Sequence, residues 1–126
     1  MLNLLLATAR PQELKAFTAN LAADPEVRLQ QVASGAAALE AVRTSPPHLV
    51  IIDANLPDTP PLELVQKLLM VNAMVNTAVI SPLAEEEFHE ASEGLGVLCR
   101  LPLEPGTAEA ADLLRKLRKL LGLGGV

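Results

Sequence analysis

No tryptophan and no tyrosine occur in this chain, and phenylalanine occurs only twice. Single-stranded nucleic acids are held on aromatic stacking platforms, so that function class lacks its main device. Positive charge is also short: 10 Lys and Arg against 15 Asp and Glu leave a net charge of -5, whereas a phosphate-binding surface needs concentrated positive charge. A single cysteine, Cys99, excludes a disulfide framework and a cysteine-pair zinc site; its expected role is that of a small packing residue. The two histidines, His48 and His89, each lack a second ligand at metal spacing. No apolar run reaches the ~18 to 20 residues of a membrane span, and the first residues lack the basic start of a signal peptide. The expectation is a soluble, cytoplasmic chain with no nucleic-acid and no membrane partner.

What remains is apolar and periodic. The 126 residues, half of them hydrophobic, suffice for one domain with its own core. Residues 1–126 are read as that domain, with 121–126 as a tail or linker stump. "MLNLLLATARP" reads as a strand that breaks at Pro11, a residue suited to the first turn of a helix. Leu14, Phe17 and Leu21 follow at helical spacing, "AADPE" ends that helix, and "VRLQQV" alternates as a second strand. Ser34 is the expected N-cap of "SGAAALEAVR". The cycle continues with "HLVIID" as strand three, "PLELVQKLLMV" as helix three, "NTAVIS" as strand four and "AEEEFHEASE" as helix four. "GVLCRL" and "TAEAADLLRKLRKLLG" supply strand five and helix five. Five alternations imply an α/β fold, a parallel sheet covered on both faces, with strand three, apolar throughout, at its centre.

In doubly wound folds the functional crevice lies beyond the carboxyl ends of the strands. Asp53, the last residue of "LVIID", is delivered there. Two readings fit: a functional carboxylate presented by a buried strand, or a loop carboxylate that caps helix three or solvates the strand end.

"LVIIDANLPDTPPLELV" resembles the phosphoacceptor segment of the receiver domains of two-component response regulators. Asp53, Leu56, Pro57, Asp58, Leu62, Glu63 and Leu64 fall in register, and Pro61 replaces the turn glycine. The resemblance spans nearly the whole chain, through "SGAAALEAV" and "EGLGVLCRLPLEPGTAEAADLL". It implies a flavodoxin-like (βα)5 three-layer sandwich with strand order 2-1-3-4-5.

Residue by residue, the resemblance makes Asp53 the phosphoacceptor and Ser81 the switch hydroxyl; the other reading of Ser81 is a turn serine ahead of "AEEE". The pair of Mg²⁺-holding acids falls on Thr8 and Ala9, the charge-neutralising Lys on Leu101, and the aromatic switch on Leu98. Pro102 falls where the family has a cis proline. Phosphoryl transfer depends on positioning and on neutralising the transferred oxygens, and Mg²⁺ needs carboxylate oxygens and water. Asp53 and a carbonyl near Asn55 are the weak metal candidates left, with Glu13 and Asp58 as the nearest other carboxylates. Arg100 neighbours Leu101, but strand alternation turns it away from the site.

The resemblance implies a degenerate, or pseudo-, receiver: no enzyme activity, no cofactor, weak or absent Mg²⁺ binding, and action through protein contacts. The partner would be a histidine kinase, a downstream signalling protein, or a second copy docked on the face of helix four, strand five and helix five. Two other readings are a working acceptor at Asp53 with a rearranged metal site, and a small-ligand-binding flavodoxin-like protein. The last needs phosphate-cradling backbone donors after strand one, and "ATARPQ" has no Gly there. "EEE" at 85–87 reads as a solvated helix start that complements the macrodipole. Helix five carries Leu on one stripe and Arg/Lys opposite; the stripe is expected to pack on the sheet rather than on a membrane.

Overall fold

Alternation of side chains along β3, Leu49–Ile52, sends Leu49 and Ile51 into one core and Val50 and Ile52 into another, and all four are fully buried. A strand with no solvated face belongs in the middle of a sheet covered on both sides, and the computed structural model, which describes residues 1–123, places it there. The strands β1 (Leu2–Ala7), β2 (Val27–Val32), β3, β4 (Asn76–Ile80) and β5 (Cys99–Leu101) form one parallel sheet in the order β2-β1-β3-β4-β5. Between them run α1 (Lys15–Ala23), α2 (Gly35–Thr44), α3 (Pro61–Val71), α4 (Glu85–Ala91) and α5 (Thr107–Leu120). The expected flavodoxin-like order is therefore the observed one.

Phe17 and Leu21 of α1 join Leu113 and Leu117 of α5 on one face of the sheet; Val42 of α2, Leu64 and Leu68 of α3 and Phe88 of α4 cover the other. Leu113, Leu114 and Leu117 of the α5 stripe thus pack on the sheet, as expected, with Leu121 partly buried beside them, whereas Leu120 is exposed. No helix among the described residues is long and apolar enough to cross a membrane. His48 pins the start of β3 to β1: its N–H donates to the Asn3 carbonyl at 2.8 Å and its Nδ1 accepts from the Asn3 N–H at 2.9 Å.

Several boundaries differ from the sequence expectation: α4, read over 84–93, spans Glu85–Ala91, and β3 and β4 are each shorter by one or two residues. Regular α1 begins at Lys15; Pro11–Leu14 form a turn held by i to i+3 bonds from Glu13 and Lys15 N–H to the Arg10 and Gln12 carbonyls. Strand five is ordered as β5 only from Cys99, although the Leu98 N–H already bonds the Thr77 carbonyl. α5 ends at Leu120, with Leu121 and Gly122 closing its last turn. The tail expected over 121–126 is described as far as Leu123, and 124–126 lie outside the described residues.

The α2 start is built by three residues. Ser34 Oγ accepts from the Ala37 N–H at 3.1 Å, and the Asp58 carboxylate accepts from the N–H groups of Gly35 and Ala36 at 2.8 and 2.9 Å. These fill the orphan donors of the helix start and hold the Asp58 carboxyl below its ordinary range, the Ala36 bond being the largest cause. Such a close approach requires glycine: a Cβ at Gly35 would clash with the Thr59 Cγ2 methyl. Gly to Ala in a helix ordinarily stabilises by roughly 0.4–1 kcal/mol. Here Thr59 is buried and β-branched, with little rotamer freedom to give way. Gly35→Ala is therefore expected to destabilise by about 1–3 kcal/mol, the cost of overpacking, measured by urea denaturation; an unchanged or raised midpoint would refute the contact.

Candidate functional site

Asp53 follows β3 directly and is 1% exposed. Its N–H donates to the Ala7 carbonyl at 2.9 Å, which fixes its backbone against the end of β1. A carboxylate buried so deeply is costly unless paired and hydrogen-bonded, and the chain supplies both. Thr8 Oγ1 donates to Asp53 Oδ2 at 2.6 Å and also accepts from the Arg10 N–H at 3.0 Å, a local turn that directs Arg10 back over the strand ends. Arg10 Nε then donates to Asp53 Oδ2 at 2.8 Å and its Nη2 to Oδ1 at 2.9 Å, a two-pronged pair. The Ala54 N–H donates to Oδ1 at 2.7 Å. Arg10 Nη2 also reaches the Leu103 carbonyl beyond β5 at 2.5 Å.

A carboxylate offers about four lone-pair sites, and these four donors take them all. Burial pushes the Asp53 carboxyl up, but the bonds from Arg10, Thr8 and Ala54 and the guanidinium charge outweigh it, so its pKa lies below the ordinary value. Arg10 is raised in turn, chiefly by its bond to Asp53. Of the two sequence readings of Asp53, helix capping is the wrong one: the carboxylate binds the β1–α1 loop, and it is Asp58 that caps a helix, α2.

The remaining site residues scatter. Ala9 and Asn55 are exposed, as is Glu13. Leu101 is 4% exposed within the α1/α5 core, and Leu98 packs against that core. Ser81 is buried, and its Oγ accepts from the Leu83 N–H at 3.1 Å, the turn-serine geometry. Arg100 points away from Asp53 as strand alternation dictates: its Nη1 donates to the Ser81 carbonyl at 3.0 Å and its Nε lies 3.5 Å from Glu85. The cis expectation at Pro102 is corrected, since every described peptide bond is trans. Trans is favoured even before proline by about 0.5–1 kcal/mol, and in this form the loop already meets Arg10 through the Leu103 carbonyl.

The residues present do not fit Mg²⁺. Among the described residues no three of His, Cys, Asp and Glu converge, and the one carboxylate at the site has its lone pairs filled by a cation that belongs to the chain. Arg10 is the residue of this site that motif matching passed over, because it falls one position beyond the matched pair Thr8 and Ala9.

No family model and no curated protein matches this chain. Solved structures do. CheY4, a chemotaxis response regulator of Vibrio cholerae, superposes with a TM-score of 0.81 at 16% identity over 93% of this chain and 98% of its own. The signal receiver domain of NarL from Mycobacterium tuberculosis gives 0.79 at 16% identity over 93% and 96%. The N-terminal domain of an uncharacterized protein from Wolinella succinogenes gives 0.81 at 17% identity over 99% and 100%. Five parallel strands in the order 2-1-3-4-5, each followed by a helix, with Asp53 at the end of the central strand, make this a chain with the CheY-like receiver fold.

Proposed function

We propose that this chain is a cytoplasmic, receiver-like signalling module that works through protein contacts, with Asp53 serving as a structural anion rather than a phosphoryl acceptor. The observation that carries this reading is the filled carboxylate: Thr8, Arg10 and the Ala54 N–H occupy every lone pair that an incoming phosphorus or a metal would need. Two further features support it. Neither Thr8 nor Ala9 supplies a metal-holding carboxylate, and Leu101 supplies no charge for a transferred phosphoryl group. On this reading the chain is no enzyme and needs no Mg²⁺. Its partner is a protein, either a histidine kinase or downstream component, or a second copy through α4, β5 and α5.

The test is intact mass after incubation with a small phosphodonor and Mg²⁺, beside an Asp53→Asn control. The expected result is no added phosphoryl group in a folded sample. One addition that disappears in the control would overturn the reading and make Asp53 a working acceptor with a rearranged metal site.

A further inference from the structure

Between the tops of β3 and β4 lies a hollow of about 240 Å³ that the Asp53 site does not use. Its lining is almost wholly apolar: Ala54 and Pro61 on one side, Val79 on the floor, and Leu83 and Phe88 on the other. Its one polar side chain, Ser81, has its Oγ engaged by the Leu83 N–H. Sugars, nucleotides and phosphates therefore find no charged or amide partner here. At this volume the hollow is smaller than the roughly 300–1,000 Å³ of a site for a drug-sized molecule and suits one large apolar side chain, the anchor of a protein contact. Pro60, Pro61 and Pro82 line it as well. Their fixed φ angles restrict the backbone freedom of the lining, which lowers the ordering cost of binding.

The wall beyond Phe88 says what surrounds the anchor. Phe88 is the only buried apolar residue of α4; the helix's other positions are Glu85, Glu86, Glu87, His89, Glu90 and Ala91, all exposed, with four carboxylates against one histidine and no Lys or Arg. Among the described residues these glutamates make one ion pair, Glu85 with Arg100 at 3.5 Å. Glu86 and Glu87 follow the rim residue Leu83 by three and four positions, and over the roughly 10 Å screening length of moderate salt their charge acts at the mouth of the hollow.

From this juxtaposition we infer that the hollow is a docking site for a segment of another protein that inserts one large aliphatic or aromatic side chain and carries Lys or Arg beside it. The inference deepens the protein-contact reading above and rests on it. It does not depend on the state of Asp53, so the two can fail separately.

The test is a titration of the isotope-labelled full chain, followed through its amide resonances, with an amphipathic peptide of Leu and Lys. The same design with Ser for Leu, and with Glu for Lys, serves as the pair of controls. The Leu–Lys peptide is expected to shift Ala54, Val79, Leu83 and Phe88, and neither control should do so. Leu83→Asp, a change at an exposed rim position, is expected to weaken binding about tenfold or more, the scale of an anchor contact, with the unbound spectrum otherwise preserved. Shifts centred on α5, equal shifts with the Ser peptide, equal shifts with the Glu peptide, or self-association of the chain that itself fills the hollow would each overturn the proposal.

Discussion

Arg10→Ala is expected to lower the stability of the protein by about 2–3 kcal/mol. The size follows from what is left behind. Asp53 is 1% exposed and loses two bonds and its counter-charge at once. Removing one member of a fully dry ion pair costs about 3–5 kcal/mol; the Arg10 side chain is 23% exposed, so water can enter where it stood and the cost is set lower. For a domain of this size that corresponds to a fall in Tm of roughly 10 °C. The pH dependence separates this account from simple loss of packing. In the parent chain the Asp53 pKa lies below the ordinary aspartate value of 3.8. Its contribution to stability is therefore complete above that value and is lost as pH falls through the folded pKa. In the variant, burial acts against a weaker set of bonds and pushes the carboxyl up, so ionised Asp53 becomes a liability that protonation relieves. The difference in Tm between the two proteins should shrink from about pH 7 to about pH 3. A constant difference would mean that Arg10 contributes apolar contact and not charge.

The fold was legible because its signals are local and repeated. "LVII" is apolar at every position, which only a central strand of a covered sheet requires, and α3 begins at Pro61 and ends at Val71 as its spacing says. The misread boundaries are those where loop bonds compete with the helix or strand pattern, as at Pro11–Leu14. At the site, the sequence located Asp53 and showed no acid at Thr8 or Ala9, but a resemblance tells which groups of the pattern are absent and not which residues stand beside the carboxylate. The cation could have been found by charge accounting. A buried carboxylate at the strand ends needs a cation, and Arg10 is the only Lys or Arg in the five segments that follow the strands. The second donor, Thr8, reads in sequence only as the absence of an acid; its hydroxyl becomes meaningful only when β1 and β3 are seen to be neighbours.

The substitution that tests whether a cation from β5 can replace Arg10 beside Asp53 is Leu101→Lys, alone and with Arg10→Ala. Leu101 is 4% exposed in the α1/α5 core, and the Arg10 guanidinium spans from Asp53 to the Leu103 carbonyl just beyond it. In the parent chain a lysine at 101 loses apolar packing and brings an ammonium toward a guanidinium that already holds the carboxylate. The expected cost is about 3–5 kcal/mol, that of a buried charge without a partner. With Arg10 removed, the same lysine meets a buried carboxylate that lacks a cation. Strand parity puts it on the proper side, since Leu101 and Ile51 face the same core and Asp53 lies two residues beyond Ile51. The double variant should therefore be more stable than the sum of the two single losses by about 2–3 kcal/mol, a coupling of the size found between directly interacting groups. Denaturation of the four proteins of this cycle measures it. Additive losses would place the lysine out of reach of Asp53 and leave Arg10 as a counter-ion of a different geometry. A coupling of the expected sign would mean that one cation space exists beside Asp53, that either residue can fill it, and that this chain fills it with a side chain whose second bond ties the β5–α5 loop to the central strand.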